Sequence, residues 1–196
     1  MDNAEKLNAV YWSNRYQSNT ANWDLNQVSP PIKEYINQLT NKNYRILIPG
    51  CGNSYEAEYL LQQGFTDITI IDIAPNLIEQ LKLKFKNKPT IQIILGDFFT
   101  LQQSFDLIFE QTFFCALDPS LRKEYVSKMH SLLKPKGKLV GLLFNRNFEG
   151  GPPFGGTMNE YSTLFSQHFT SKVFESCFNS FIKRQETELF IILIKK

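Results

Sequence analysis

The chain has 196 residues, 42% hydrophobic and 20% charged, so one globular domain with a filled core is expected and a disordered chain is excluded. Lys+Arg number 21 against 19 Asp+Glu, and a net charge of +2 leaves no basic field to displace counterions from nucleic-acid phosphates. No apolar run approaches the ~18 residues of a membrane span, and residues 1–10 lack the basic and apolar regions of a secretory leader.

The first thirty residues are aromatic and polar without clean periodicity and end at Ser29-Pro30-Pro31. Proline is tolerated in a first helical turn, where its missing N–H has no partner anyway, so a helix is predicted over Ile32–Leu39. From Tyr44 the pattern changes to short apolar runs separated by amphipathic stretches. Tyr44–Ile48 reads as a strand, Tyr55–Gln63 as a helix stopped by Gly64, Asp67–Asp72 as a strand and Pro75–Phe85 as a helix. Thr90–Leu95 and Phe105–Phe109 read as strands, Pro119–Leu133 as a long helix, and Lys138–Phe144 as a strand entered through Pro135-Lys136-Gly137. Phe169–Phe178 and Thr187–Ile194 are β-rich, and the segment between them is too short for a crossover helix. They are predicted to form an antiparallel hairpin at the sheet edge.

Strands alternating with helices imply right-handed βαβ units on a parallel sheet. The predicted fold is therefore α/β and doubly wound, with a mostly parallel seven-stranded sheet and an antiparallel C-terminal hairpin, in one domain over 1–196. Three widely spaced cysteines, Cys51, Cys115 and Cys177, suit neither a disulfide framework nor a CxxC metal site, so a reducing, cytoplasmic compartment and no metal are expected. Lys82, Lys84, Lys86 and Lys88 fan around a helix axis and read as a solvated helix end. Seventeen Phe favour an apolar pocket as well as a core, and the partner is expected to be a small molecule.

The strongest local signal is Ile46-Leu47-Ile48-Pro49-Gly50-Cys51-Gly52-Asn53-Ser54, a strand running into a glycine-bearing turn and then a helix. Such a turn lets a ligand approach bare backbone, and it also serves as an ordinary tight connection. Asp72 strengthens the ligand reading: it closes the next strand twenty residues after Gly52, where a carboxylate can accept from both hydroxyls of a ribose. A dinucleotide turn would carry a third Gly where Tyr55 stands, so the site is not built for a pyrophosphate. Gly96-Asp97-Phe98-Phe99 places a further acid at the same sheet edge, either to accept from an adenine amino group or to cap a turn. A ribose acid and an adenine acid without a pyrophosphate turn describe S-adenosylmethionine.

From Tyr11 to Phe154 the chain resembles the class I S-adenosylmethionine-dependent methyltransferases, and more narrowly the thiopurine S-methyltransferase superfamily with its thiol, thiocyanate and halide branch. The resemblance rests on five motifs in order. They are Tyr11-Trp12-Ser13-Asn14-Arg15-Tyr16 followed by Asn22-Trp23-Asp24, then Ile48-Pro49-Gly50-Cys51-Gly52. After these come Asp106 through Leu117 with Pro119 and Arg122, and Gly150-Gly151-Pro152-Pro153-Phe154. The resemblance implies a Rossmann-like fold and a set of roles. Gly50 and Gly52 would take the methionine moiety, Asp72 the ribose, and Asp97 with the Phe98 backbone the adenine. Trp12, Tyr16 and Trp23 would fold over the cofactor as an aromatic lid within 1–29, partners for a sulfonium through cation–π attraction. Glu110 and Gln111 would line the methionine end, with Glu110 accepting from the ammonium. Phe113, Phe114, Phe148 and Phe154 would cage the acceptor, and Arg122 would supply its cation.

Methyl transfer is an in-line displacement for which alignment and exclusion of water supply most of the acceleration, so no acid–base dyad is needed and none is assigned. The implied activity is transfer of a methyl group to a small soft nucleophile: a thiol, thiocyanate, a halide or a thiopurine-like aromatic thiol. Two alternatives stand beside it. One is O- or N-methylation of a small metabolite, which needs a general base. The other is a non-catalytic module that binds an adenosine ligand. A monomer or weak dimer is expected.

Overall fold

A computed structural model describes residues 7–18 and 20–196 of the chain. Residues 1–6 and Asn19, parts of the segment expected to act as a lid, lie outside the described residues. The strands β1 (Arg45–Pro49), β2 (Asp67–Asp72), β3 (Ile91–Leu95), β4 (Phe105–Gln111), β5 (Leu133–Phe144), β6 (Phe169–Ser176) and β7 (Glu188–Lys195) form a single sheet. Its order is β3-β2-β1-β4-β5-β7-β6. The first five strands are mutually parallel, while β7 runs antiparallel to both β5 and β6. The predicted class is thus observed. The chain moves outward from β1 through β2 to β3, then returns to β4 on the other side of β1. That reversal opens a crevice at the carboxyl ends of the strands, where open α/β sheets bind ligands.

The helices are α1 (Ala9–Gln17), α2 (Pro30–Asn37), α3 (Tyr55–Gln62), α4 (Pro75–Lys84), α5 (Arg122–Leu132) and α6 (Met158–Ser166). The period-2 alternation of each strand distributes its side chains between two cores. Ile46 and Ile48 of β1 and Ile68 and Ile70 of β2 pack with Ile36, Leu60 and Ile78 from α2, α3 and α4. Leu47 and Ile71 point the other way, toward Val126 and Met129 of α5 and Phe165 of α6. Burial on both faces is why these strands read as continuous apolar runs. Each fully buried Leu, Ile or Phe contributes roughly 1.5–3 kcal/mol.

Four local features depart from the sequence reading. A helix, α1, stands in the stretch without periodicity; the Asn8 side chain caps it by accepting from Val10 N and Tyr11 N, and none of its residues is buried. Its contact with the core is the single pair Trp12 and Tyr16, half-buried and four residues apart, which leaves little periodic signal. α6 was also unforeseen; Thr157 caps it, and it buries only Tyr161 and Phe165, four residues apart. The predicted helix from Pro119 divides into a 3-10 turn, Pro119–Leu121, and α5. Finally, Pro135-Lys136-Gly137 lies inside β5, with Lys136 at φ +62°, where the register to β4 shifts between Phe105 and Leu107. As expected of a solvated helix end, Lys82 and Lys84 pair with Glu79 and Glu58, each at 2.8 Å. Among the described residues no helix is long and apolar enough to cross a membrane, and the three cysteines are free and buried.

Candidate functional site

β1 delivers the chain into a turn with Gly50 at φ +54°, Gly52 at φ +50° and Ser54 at φ +56°, a left-handed run that favours glycine. A Cβ at Gly50 would lie 2.2 Å from the Phe113 ring, so that ring rests on bare backbone. At Gly52 a Cβ would come within 3.1 Å of the Tyr16 hydroxyl. The turn is fastened to β2: Cys51 N–H donates to Ile71 O at 3.1 Å and Gly52 N–H to Asp72 Oδ2 at 3.2 Å. Ala74 N–H donates to the other oxygen, Oδ1, at 3.0 Å. Asp72 is 7% exposed at the end of β2, and burial raises its pKa while the N–H groups of Ala74, Gly52 and Ile73 oppose the rise. Beside it, Gly96 N–H donates to Asp72 O at 3.0 Å, and Asp97 Oδ1 accepts from Phe99 N at 2.9 Å. Asp97 is therefore a turn cap, as one of its two expected readings had it, and it also borders the cavity.

Aromatic side chains of the N-terminal segment wall the other side. Trp23 stands edge-on to Trp12 at 5.5 Å and to Tyr16 at 5.9 Å, and the Arg15 guanidinium lies 5.4 Å from the Trp23 ring centre. Tethers hold this wall: Asn76 Nδ2 of α4 donates to Ser13 O at 3.0 Å, and Arg184 donates to Trp23 O at 2.6 Å. Burial, with the Asp72 charge adding to it, holds the Tyr16 phenol well above its usual pKa and keeps it protonated.

Between turn and wall is a cavity of about 610 Å3 that runs on to the loop after β5. It is lined by Gly50, Gly52, Asp72, Asp97, Phe98, Gln111, Trp12, Tyr16, Trp23 and Phe113 from the predicted set. Two buried polar atoms on its lining, Gln111 Oε1 and Arg15 Nε, have no hydrogen-bond partner. An orphaned acceptor and an orphaned donor beside a carboxylate suit a ligand that carries an ammonium, a carboxylate and a ribose. S-Adenosylmethionine carries all three, so the residues fit this cofactor. Among the described residues no cluster of side chains could hold a metal ion.

Four predicted residues do not reach the cavity. Glu110 is fully buried beneath its floor, where Oε1 accepts from Phe113 N at 2.8 Å and Phe114 N at 2.9 Å and Oε2 from Tyr125 at 2.5 Å. Its acceptor capacity is taken up by the protein, which leaves Gln111 to face the ligand space. Phe114 is core, packed at 5.0 Å on Tyr125 and 5.3 Å on Tyr161. Phe154 folds back on Gly151, where a Cβ would meet its ring at 2.3 Å, while its N–H donates to Cys115 O at 2.7 Å. Arg122, 7% exposed, pairs with Glu160 at 2.5 Å, donates to Gly155 O at 2.7 Å and lies 5.1 Å from the Phe114 ring centre. It straps the loop after β5 to α5 and α6.

Towards the loop after β5 the cavity is lined instead by Phe113, Phe144, Phe148, Pro152, Pro153 and Phe181, with Arg146, Lys183 and Arg184 as cations. Arg184 is neutralised by buried Glu188 at 3.3 Å. Asp24, Glu56, Asp72, Asp97 and Asp118 also border the cavity, and Arg15 does so beside Trp23, so acids and bases are interspersed along its lining. Burial pushes the Glu56 carboxyl up to about 7. Arg146 was legible in principle, since it follows a strand's carboxyl end as Gly50 does. Phe181, Lys183 and Arg184 come from the connection between β6 and β7 and carry no local signal.

The model of the thiopurine S-methyltransferase family matches residues 7–189. A probable thiol methyltransferase 2 from Arabidopsis thaliana is 33% identical over 159 residues, covering 78% of this chain and 70% of that protein. A thiopurine S-methyltransferase from Acinetobacter baylyi is 25% identical over 182 residues, covering 81% and 84%. Among solved structures, a Burkholderia thailandensis 1,6-didemethyltoxoflavin-N1-methyltransferase with bound S-adenosylhomocysteine superposes with a TM-score of 0.76 at 18% identity, over 96% of this chain and 87% of that one. That likeness is one of fold.

Proposed function

The chain belongs to the thiopurine S-methyltransferase family and is an S-adenosylmethionine-dependent methyltransferase of a small nucleophile, and from that premise we propose that its acceptor is a soft sulfur nucleophile or anion. The observation that carries this reading is the set of aromatic rings and cations that line the cavity past the end of β5. Asp72 and Asp97 at the strand ends suit a ligand with ribose and adenine; Arg146, Lys183, Phe113, Phe144 and Phe148 suit an anion that tolerates loss of water. Polarizable sulfur anions tolerate it better than hydrated oxyanions.

Bound S-adenosylmethionine supplies an electrophilic methyl group whose sulfonium charge is lost as the nucleophile displaces the thioether in line. In the proposed assignment Asp72 accepts from the ribose hydroxyls and Gln111 Oε1 from the ammonium. Arg15 donates to the methionine carboxylate, and Asp97 with the Phe98 backbone holds the adenine. Trp12, Tyr16 and Trp23 present π-faces to the cation and exclude water as a lid within 1–29. Phe113, whose ring rests on Gly50 and lines the cavity, sets the approach of the acceptor in this assignment. A nucleophile that arrives as an anion needs no proton removed, in keeping with a cavity whose lining holds no histidine among the described residues.

A second reading, methylation of oxygen or nitrogen, is favoured by Glu56, a cavity-lining carboxyl that titrates at about 7 and is suited to take up a proton. The test is steady-state methylation of thiocyanate, hydrosulfide, iodide and an aromatic thiol beside a catechol and a carboxylate, with labelled cofactor. Faster turnover of the catechol or the carboxylate overturns the sulfur reading, and faster turnover of the catechol, which must lose a proton, promotes Glu56 as general base. Buried free thiols support a reducing, cytoplasmic setting, the near-zero net charge argues against nucleic acid, and scattered exposed apolar residues such as Leu83 and Leu95 support a monomer or weak dimer.

A further inference from the structure

We infer that Arg146 is the specificity-determining cation of the acceptor end, holding the incoming anion; this rests on the acceptor reading above. Arg146 leaves the sheet just past β5, beside the end of β4, which closes on Gln111 two residues before Phe113. Its backbone is fixed: Gly156 N–H donates to Arg146 O at 3.0 Å, and Gly155 packs so closely that a Cβ there would lie 1.8 Å from that oxygen. The residue before it is pinned on both sides, Asn145 N–H donating to Thr187 O at 2.8 Å and Asn145 Oδ1 accepting from Met158 N at 3.0 Å. A long side chain is thus launched from a rigid base.

The guanidinium lies 4.7 Å from the centre of the Phe148 ring, which meets Phe144 edge-on at 5.1 Å. Phe144 in turn carries Arg184 at 5.4 Å. Two cations therefore cap this aromatic ladder, and only one is spent within the protein. Arg184 is buried with Glu188 and Trp23 O, whereas Arg146 lines the cavity, is solvent-exposed and has no carboxylate partner among the described residues. An anion entering an apolar cage loses hydration and needs a fixed positive charge near its path. A guanidinium is weakly hydrated and planar, and stacked on Phe148 it meets a polarizable or flat anion at lower desolvation cost than an ammonium does. Arg122, whose charge is engaged by Glu160 and Gly155 O, cannot serve in this way.

The test compares wild type with Arg146→Ala, Arg146→Lys and Lys86→Ala, the last removing the same charge away from the cavity. Thiocyanate binding to the protein loaded with S-adenosylhomocysteine is measured by calorimetry, alongside the KM and kcat for thiocyanate methylation. Arg146→Ala is expected to weaken thiocyanate binding and raise its KM roughly five- to tenfold, with kcat and S-adenosylhomocysteine affinity nearly unchanged. Arg146→Lys should recover part of the loss and Lys86→Ala should show none. If wild type methylates thiocyanate and Arg146→Ala binds it equally well, the inference fails while the sulfur reading stands. If binding depends on Arg146 but no sulfur acceptor is methylated, the anion site stands and the sulfur reading fails. If wild type neither binds nor methylates thiocyanate, the inference fails, and the sulfur reading is decided by the other sulfur acceptors of the panel.

Discussion

The Tyr125 hydroxyl donates to Glu110 Oε2 at 2.5 Å in a region sealed from solvent, both residues being 0% exposed. Burial pushes the Glu110 carboxyl up to about 7 from an ordinary 4.5, against the pull of its three donors. The folded chain therefore keeps a proton that the unfolded chain has released between those values. Stability is full below about pH 4.5 and falls as pH rises toward about 7, by up to ~1.4 kcal/mol per pH unit for each such group. Glu56, raised to about 7 by burial as well, adds a slope of the same sign. Urea midpoints across this window should decline with pH, and Glu110→Gln should flatten the decline. A rise through the window would refute the assignment.

Asp72 joins the glycine turn to the proposed ribose site. Asp72→Ala removes a charged acceptor from two hydroxyls, each worth roughly 1.5–3 kcal/mol at most, so S-adenosylhomocysteine binding should weaken tenfold or more. Because Asp72 also accepts from Gly52 N and Ala74 N, Asp72→Asn, which keeps one acceptor, separates loss of the ligand from loss of the turn. Calorimetry on both variants decides; unchanged affinity in Asp72→Ala removes the residue from the site.

Gln111→Leu tests the orphaned acceptor. The substitution removes a buried oxygen that has no partner in the protein, so thermal stability should hold or rise slightly, while cofactor affinity falls. A variant that loses stability and keeps affinity would show that the amide serves the fold.

Arg122→Ala should behave as a stability variant. It removes a pair to half-exposed Glu160, a hydrogen bond to Gly155 O and the contact with Phe114, a loss of about 1–3 kcal/mol. Arg122→Lys should rescue little, because an ammonium cannot reach both partners in the fixed fork of a guanidinium. Below the melting transition the acceptor KM should change less than in Arg146→Ala. The reverse ranking would return Arg122 to the acceptor.

If the N-terminal segment is a lid, tryptic cleavage at Arg15 should slow when S-adenosylhomocysteine is added, since Arg15 and Trp23 both border the cavity. Equal rates with and without ligand would make it a fixed wall.

The alternation of apolar runs with amphipathic stretches, the turn at Gly50 and Gly52, and Asp72 at the next strand's end were all legible in the sequence. Each is a local pattern imposed by a strand buried on both faces or by backbone that must bend at positive φ. α1 was not legible, because it leans on the core only through half-buried Trp12 and Tyr16, nor was α6, whose signal is a single buried pair. The division of labour among neighbours was decided only by packing. Glu110 and Gln111 are adjacent on β4 and so point to opposite faces; whether the acid or the amide meets the ligand follows from where Tyr125 of α5 lies, 15 residues along the chain. The same holds for the cations. Arg122, Arg146 and Arg184 are chemically alike in sequence, but Glu160, Gly155 O, Glu188 and Trp23 O come from distant segments and engage two of them. Side-chain charge is a property of the residue, whereas its availability to a substrate is set by partners that only the folded chain brings within reach.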